Sequence, residues 1–133
     1  MKDWKKLYEV AKENLTSKEI SPFISVGNKA CAILSEKGNI YYGLSIDSST
    51  GVNNSAEKSA ITNMLNNKEF KISKIVVLNE LEEIIMPCSD CLEYLLELSE
   101  NNENLEILVD LEKEETTKLV NLLPEWWGTY RKN

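Results

Sequence analysis

The chain has 133 residues, 42% of them hydrophobic, and a formal net charge of −7. This length fits a single domain over 1–133, and the negative charge disfavours DNA or RNA as a partner because phosphate would be repelled. No apolar run approaches the roughly 20 residues of a membrane span, and the amino terminus lacks the apolar segment of a signal peptide. We therefore expect a cytoplasmic protein that does not associate with membranes.

Histidine is absent from the sequence, and the three cysteines are Cys31, Cys88 and Cys91. The missing imidazole excludes Ser-His-Asp triads, Cys-His pairs and histidine metal ligands. Acid–base chemistry must then depend on carboxylates, lysines, tyrosines or metal-bound water. An odd number of cysteines without a signal sequence predicts reduced thiols rather than a disulfide framework.

The first third of the chain predicts a helix followed by a hairpin. Apolar residues at helical spacing predict a helix over 3–18, which Ser21-Pro22 ends. Two short apolar runs, 30–34 and 40–44, flank a polar turn and predict two paired strands. The following stretch, 45–53, is rich in Ser, Asp, Thr and Gly, and we expect it to lack regular structure.

The remainder of the chain alternates helix and strand. Helices are predicted over 54–66, 88–100 and 112–123, and buried strands over 72–78 and 105–109. This order predicts an α/β fold, a three-layer α-β-α sandwich in which the later strands of a mixed sheet run parallel.

Two segments stand where a loop turns into a predicted helix. Pro87-Cys88-Ser89-Asp90-Cys91 brings two sulfurs to one turn, where the positive end of a helix lowers thiol pKa values and suits metal binding or redox chemistry. The alternative is that both cysteines are merely small buried side chains. Asn54 and Glu57 have the spacing of a capping box, so Glu57 by itself is better explained as a helix cap than as a catalytic group.

Taken together, the two segments resemble a known family. Ser55-Ala56-Glu57, followed about thirty residues later by Pro87-Cys88-Ser89-Asp90-Cys91, is similar to the C-A-E and P-C-x-x-C motifs of cytidine deaminases. Further similarities occur in the same order at Ser21-Pro22-Phe23, Ala30-Cys31-Ala32, Gly38-Asn39-Ile40-Tyr41-Tyr42-Gly43 and Ser59-Ala60-Ile61. The tail Leu122-Leu123-Pro124-Glu125-Trp126-Trp127-Gly128 resembles the blasticidin-S-deaminase-like branch.

The resemblance implies a cytidine deaminase-like fold and a zinc-dependent hydrolase that releases ammonia from cytidine, deoxycytidine or a blasticidin S-like nucleoside. Zinc (Zn2+) would be held by Cys88, Cys91 and the residue at Ser55, and would activate a water molecule. The catalytic residue would be Glu57, which carries the proton from water to the base and then to the leaving ammonia.

The resemblance also implies a substrate-binding pair and an assembly. Ser45 and Asp47 align with the family's N-x-E, which holds a ribose hydroxyl. Relatives of this size form homotetramers whose pockets border several subunits, and we expect a homotetramer here.

Several positions around this site depart from the family pattern, and Ser45 and Asp47 are among them, since they keep only a hydroxyl and a shorter carboxylate arm. Ser55 replaces a cysteine or histidine ligand, and its hydroxyl is a neutral donor that zinc binds less strongly. Leu92 stands where an arginine usually steadies the thiolates, and Lys29 stands where a small apolar residue is usual. These departures leave open a second hypothesis, that of a catalytically degenerate deaminase-fold protein that acts as a binding or assembly subunit.

Other residues have more than one interpretation. A dithiol redox protein using Cys88 and Cys91 is a third functional hypothesis, although the motif lies late in the chain for a thioredoxin-type site. Cys31, in a predicted strand, is expected to be a buried apolar side chain. Trp126 and Trp127 either pack against the sheet or a neighbouring subunit, which we favour, or cap a bound base.

Overall fold

The computed structural model describes residues 2–128, in which seven strands form one sheet with helices on both faces. The helices are α1 (Lys2–Asn14), α2 (Ala56–Asn66), α3 (Ser89–Leu98) and α4 (Leu119–Leu122), with a 3-10 turn at Glu100–Asn104. The strands are β1 (Lys18–Glu19), β2 (Ile24–Ser35), β3 (Ile40–Ser48), β4 (Ile72–Leu78), β5 (Ile84–Ile85), β6 (Glu106–Asp110) and β7 (Glu115–Lys118). None of these helices is both long enough and apolar enough to cross a bilayer.

The strands of the sheet lie in the order β3-β2-β4-β6-β7, with the two-residue strands β1 and β5 adding to β2 and β4. β4 and β6 run parallel, because α3 lies between them in sequence and returns the chain to the same end of the sheet. The other neighbours are antiparallel. The prediction of a mixed sheet with parallel later strands is therefore confirmed.

Alternating side chains of the two central strands build two separate cores, since successive residues of a strand point to opposite faces. One core packs β2 and β4 against α1, and it contains Trp4, Leu7, Ala11, Ala30, Ala32, Val76, Leu78 and Leu108. The other packs the opposite face against α2 and α3, with Cys31, Ile33, Ile61, Met64, Ile75, Val77, Leu95 and Ile107 among its members. The predicted three-layer α-β-α sandwich is confirmed.

Several predicted boundaries are wrong for local reasons. α1 ends at Asn14 rather than at 18, since Ser17 adopts a positive φ of 45° and the chain enters β1. β3 continues through Ser48, where the sequence predicted an irregular segment, because its polar end still pairs with the start of β2. Polar side chains do not prevent pairing at the exposed end of a strand.

The predicted helix over 112–123 is also wrong. Residues 112–114 form a turn, 115–118 form strand β7, in which Thr116 and Thr117 pair with β6, and only Leu119–Leu122 is helical. β-Branched threonines suit a strand better than a helix, and the edge of β6 offered unpaired backbone groups.

Gly43 sets the position of α2 on the sheet. A Cβ atom at Gly43 would lie 2.1 Å from the backbone nitrogen of Ala60 and 2.6 Å from the carbonyl oxygen of Ala56. The helix can approach β3 this closely because Gly43 has no side chain and its helical neighbours are alanines. This contact holds the first turn of α2 beside the site described next.

Candidate active site

A cavity of about 310 Å³ opens where the first turns of α2 and α3 meet the ends of β2 and β3. It is lined by Asn28, Lys29, Ser45, Asp47, Asn53, Asn54, Ser55, Ala56, Glu57, Ile85, Met86 and Cys88. Five of the six site residues predicted from the sequence are in this lining, and the sixth, Cys91, is buried within hydrogen-bonding distance of Ser55. The fold therefore gathers all six in one place.

Ser55, rather than Asn54, caps helix α2. Its backbone is extended, with φ −74° and ψ 157°, and its Oγ accepts a hydrogen bond from the Lys58 amide at 3.1 Å. The Asn54 side chain instead donates to Ser59 Oγ at 3.0 Å. The interpretation of Asn54 and Glu57 as a capping box is wrong, because Glu57 then follows the cap by only two residues.

The Glu57 carboxylate is directed towards helix α3. It is 4% exposed, and its Oε2 accepts a hydrogen bond from the backbone N–H of Cys88 at 3.2 Å. Cys88 is the N-cap residue of α3, and its side chain makes no capping hydrogen bond. One carboxylate oxygen is thus fixed by the start of the neighbouring helix.

Glu57, Cys88 and Cys91 form a compact cluster of donor atoms. One carboxylate oxygen and the two Sγ atoms all lie within 4.8 Å of one another. Cys88 is exposed to the cavity, whereas Cys91 is buried. The CxxC spacing produces this pairing because residues three apart share a face of the first helical turn.

Burial raises the pKa of the Cys91 thiol to about 12, with a further increase from its hydrogen bond with Cys88 and from the charge of Glu57. The hydrogen bond with Ser55 acts in the opposite direction. Leu92, at the position of the family's arginine, is buried in the core and supplies no positive charge. Because the thiolate is both the redox nucleophile and the metal ligand, this raised pKa disfavours dithiol chemistry and metal binding alike until a metal ion displaces the proton.

The chemistry and spacing of these donors fit a zinc ion. Two cysteine sulfurs are preferred zinc ligands, and Ser55 Oγ lies 3.3 Å from Cys91 Sγ. Sulfur and oxygen ligands of a tetrahedral zinc are expected to lie about 3.5 Å apart from the usual bond lengths. Ser55 Oγ is thus close enough to Cys91 Sγ to share a zinc ion with it, although its neutral hydroxyl is the weakest donor of the set.

Ser45 and Asp47 also line the cavity, on strand β3 beside the segment that leads into α2. Ser45 is buried, and its Oγ accepts a hydrogen bond from the backbone N–H of Lys29 at 2.9 Å. Asp47 is exposed, and the Asn28 side chain donates to its Oδ2 at 3.4 Å. A hydroxyl hydrogen and a carboxylate oxygen therefore remain available to a ligand.

No sequence model of a protein family matches the chain, and a comparison with curated proteins found no relative. Solved structures do match. The cytidine deaminase from Mycobacterium tuberculosis superimposes with a TM-score of 0.76 at 22% identity, over 95% of this chain and 98% of that one. The chain has the cytidine deaminase fold.

Two further cytidine deaminases extend this result. The enzyme from Burkholderia pseudomallei matches with a TM-score of 0.72 at 22% identity, over 92% of this chain and 98% of its own. The enzyme from Bacillus anthracis matches with a TM-score of 0.72 at 22% identity, over 96% of this chain and 91% of its own. The deaminase fold thus spans nearly the whole chain, as the spacing of its motifs predicted.

Sequence reasoning missed several residues of the cavity in this deaminase fold. Ile85 and Met86 line it just before Pro87, and Asn28 and Asn53 contribute amide groups. The only available signal was proximity to a motif, as for Ile85 and Met86. Asn28 reaches the cavity through an irregularity of β2 that no local pattern indicated.

Trp126 and Trp127 lie outside the lining of this cavity. Trp126 packs against the core beneath α2 and α3, and its ring leaves no room for a side chain at Gly128. Trp127 is 47% exposed and donates through Nε1 to Glu93 at 3.2 Å. The packing interpretation holds for Trp126.

Cys31 is fully buried, as expected, and burial raises the pKa of its thiol.

Proposed function

We propose that this protein is a zinc-dependent hydrolase that deaminates a cytosine nucleoside and releases ammonia. The observation that carries the proposal is the meeting of a buried carboxylate, Glu57, with the two cysteines of α3 at the wall of a 310 Å³ cavity. The deaminase fold supports it, because this cluster lies where the family's motifs predicted a zinc site and a proton carrier.

Cys88, Cys91 and Ser55 would hold the zinc ion. Bound there, zinc would supply Lewis acidity, which lowers the pKa of a water molecule so that hydroxide is available as a nucleophile at neutral pH. The chain supplies the remaining chemistry through Glu57. The backbone N–H of Cys88 donates a hydrogen bond to Oε2 of Glu57, which leaves the other carboxylate oxygen to accept a proton from water.

Proton transfer by Glu57 completes the reaction. The carboxyl group first donates its proton to N3 of the cytosine ring while the water oxygen bonds to C4. It then returns a second proton from that oxygen to the amino group, which leaves as ammonia, and the ring becomes uracil. Burial of Glu57 suits this role, since a carboxylate shielded from bulk water exchanges protons with the substrate rather than with solvent.

Ser45 and Asp47 would orient the sugar of the nucleoside. Ser45 already accepts a hydrogen bond from Lys29, so its hydroxyl hydrogen is free to donate. The carboxylate of Asp47 would accept a hydrogen bond from a sugar hydroxyl. Cytidine, deoxycytidine and a blasticidin S-like nucleoside are the candidate substrates, and the tail resemblance supports the last of these.

The proposal is tested by zinc content and ammonia release on the same preparation. We expect close to one zinc per chain by elemental analysis and ammonia from at least one of the three nucleosides. Glu57→Gln should retain zinc but lose about 10²- to 10⁴-fold in rate, since the amide keeps the shape and loses the proton transfer.

Two outcomes would contradict the proposal. Loss of zinc from the Glu57→Gln variant would make Glu57 a metal ligand rather than a proton carrier. Zinc-loaded protein that binds a cytosine nucleoside and releases no ammonia would instead favour a degenerate deaminase-fold binding subunit, a hypothesis supported by the ordinary capping role of Ser55.

A further inference from the structure

Strand β2 carries a bulge at the wall of the cavity. Val26 pairs with Ile46 and Ala30 pairs with Leu44, so three residues of β2 lie opposite the single residue Ser45 of β3. A bulge bends its strand and redirects the side chains of the extra residues. Here the redirected residues include Asn28 and Lys29, and both line the cavity.

Several contacts fix the bulge. Gly27 has a φ of 76°, and a Cβ atom there would lie 2.6 Å from Thr16 Cβ, so only glycine fits. The Gly27 carbonyl accepts hydrogen bonds from the amides of Thr16 and Ser17, both at 3.1 Å. On the other side, the Lys29 amide binds Ser45 Oγ. Lys29 is therefore held beside the cavity by its backbone.

The charge of Lys29 is not used within the described part of the chain. Lys29 is the single cation among the described lining residues, and it forms no ion pair with any described residue, although Asp47 and Glu57 line the same cavity. Lys29 brings an ammonium group to the residues around the cavity, and Asn28 brings an amide of which one hydrogen is donated to Asp47 Oδ2, so the other can be donated to a ligand. Such a pair of donors suits an acidic group on the ligand.

We propose that the bulge of residues 27–29 binds an acidic group, a carboxylate or a phosphate, on the sugar side of the nucleoside. This inference rests on the proposed function for the identity of the base. Lys29 supplies the charge, and Ser45 and Asp47 bind hydroxyls on the same side of the cavity. The substrate is then an acidic cytosine nucleoside rather than neutral cytidine.

The test compares three nucleosides that differ only at the 5′ carbon: cytidine, cytidine 5′-carboxylate and cytidine 5′-monophosphate. Ammonia release gives kcat/KM for each, and calorimetry on the zinc-loaded Glu57→Gln variant gives Kd without turnover. We expect one acidic nucleoside to exceed cytidine by about tenfold or more in both measurements, as a charged hydrogen bond permits. The better of the two acids identifies the acidic group.

Matched variants assign the preference to Lys29. Lys29→Met should reduce the preference for the acidic nucleoside, measured as its kcat/KM divided by that of cytidine, by about tenfold. Lys29→Arg should restore most of this preference. Lys37→Met, an exposed change remote from the cavity, should leave the ratio unchanged. Circular dichroism confirms that each variant is folded.

The two proposals can fail separately. Deamination of cytidine with no preference for either acid, or a preference that Lys29→Met leaves unchanged, would overturn the acidic subsite alone. Absence of ammonia from all three nucleosides would overturn the proposed function, and the Kd values from calorimetry would still decide whether the acidic subsite exists. Equal Kd values, or no binding of any of the three nucleosides, would overturn the acidic subsite.

Discussion

At the residue scale, the proposed zinc site depends most on Ser55, the weakest of its three proposed ligands. Its hydroxyl lies 3.3 Å from Cys91 Sγ, close enough to bind the same ion, but it is a neutral donor. We expect Ser55→Cys to raise zinc affinity by at least tenfold, because zinc prefers a thiolate to a hydroxyl. Competition with a chromophoric chelator measures this change.

A matched variant separates ligand strength from helix capping. Ser55→Ala removes both the hydroxyl ligand and the hydrogen bond to the Lys58 amide, and should cost about 1 kcal/mol of stability. If Ser55→Cys and Ser55→Ala bind zinc as the unaltered protein does, position 55 takes no part in metal binding.

A second polar cluster, remote from the site, makes stability depend on pH. Glu69 is buried and accepts hydrogen bonds from Asn39 Nδ2, at 2.7 Å, and from the Tyr41 hydroxyl. Hydrogen bonds from Ser35, Tyr41 and Asn39 hold the pKa of Glu69 below its usual range, and the bond to Glu69 raises the pKa of Tyr41.

The direction of each shift gives the pH window. The lowered pKa of Glu69 contributes stability that is present above the ordinary glutamate range and is lost as the pH falls through the folded-state value. The raised pKa of Tyr41 contributes stability that is lost as the pH rises through its own folded-state value. The measurement is the urea concentration at the midpoint of unfolding, recorded at a series of pH values. In Glu69→Gln this midpoint should fall less steeply as the pH is lowered. The exposed Glu36→Gln variant is the control, and an equal flattening by both would show that Glu69 is not responsible.

At the element scale, the close approach of α2 to β3 holds the site together. Gly43→Ala would place a Cβ atom 2.1 Å from the Ala60 nitrogen, so the helix must move. We expect a loss of about 1–3 kcal/mol in urea unfolding, typical of overpacking. Zinc affinity should fall as well, because Ser55 and Glu57 are on the displaced turn.

Thr62→Ala, on the exposed face of α2, controls for the Gly43 prediction. It should leave zinc affinity unchanged. Normal stability and zinc affinity in Gly43→Ala would show that α2 can shift without disturbing the cluster of Glu57, Cys88 and Cys91.

At the scale of the whole molecule, the homotetramer remains a prediction. Phe23 and Val52 are 69% and 77% exposed in loops near the cavity, and exposed apolar side chains often mark interfaces. We expect light scattering to give about four times the 15.2 kDa mass of the chain. A monomer at micromolar concentration would refute the prediction.

Variants test where the subunits meet. Phe23→Ser combined with Val52→Ser should dissociate the assembly, because burial of both side chains would then cost free energy rather than release it. Leu81→Ser, 72% exposed in the turn between β4 and β5, is the control and should remain assembled. If Leu81→Ser dissociates the protein and the double variant does not, the interface lies on that other surface.

The sequence by itself determined the layers of the fold, and it named the residues that the fold brings together at the cavity. Ile72–Leu78 was predicted with the bounds that the strand has, since a run of β-branched and apolar residues between polar segments suits a buried strand. The order of Glu57 and the CxxC motif predicted which residues would meet. The strand is a local feature, so nearby residue types suffice to indicate it, whereas the meeting of Glu57 with the CxxC motif was implied by the resemblance to cytidine deaminases.

Only the tertiary structure decided how those residues interact. Glu57 and Cys88 are 31 residues apart, yet a direct hydrogen bond joins them. The local sequence favoured a helix cap for Glu57, whereas the fold brings its carboxylate to the two cysteines. The bulge that brings Lys29 to the cavity arises from register between β2 and β3, and β7 formed because β6 had a free edge. Pairing and register depend on contacts between distant segments, and no local pattern of residues contains that information.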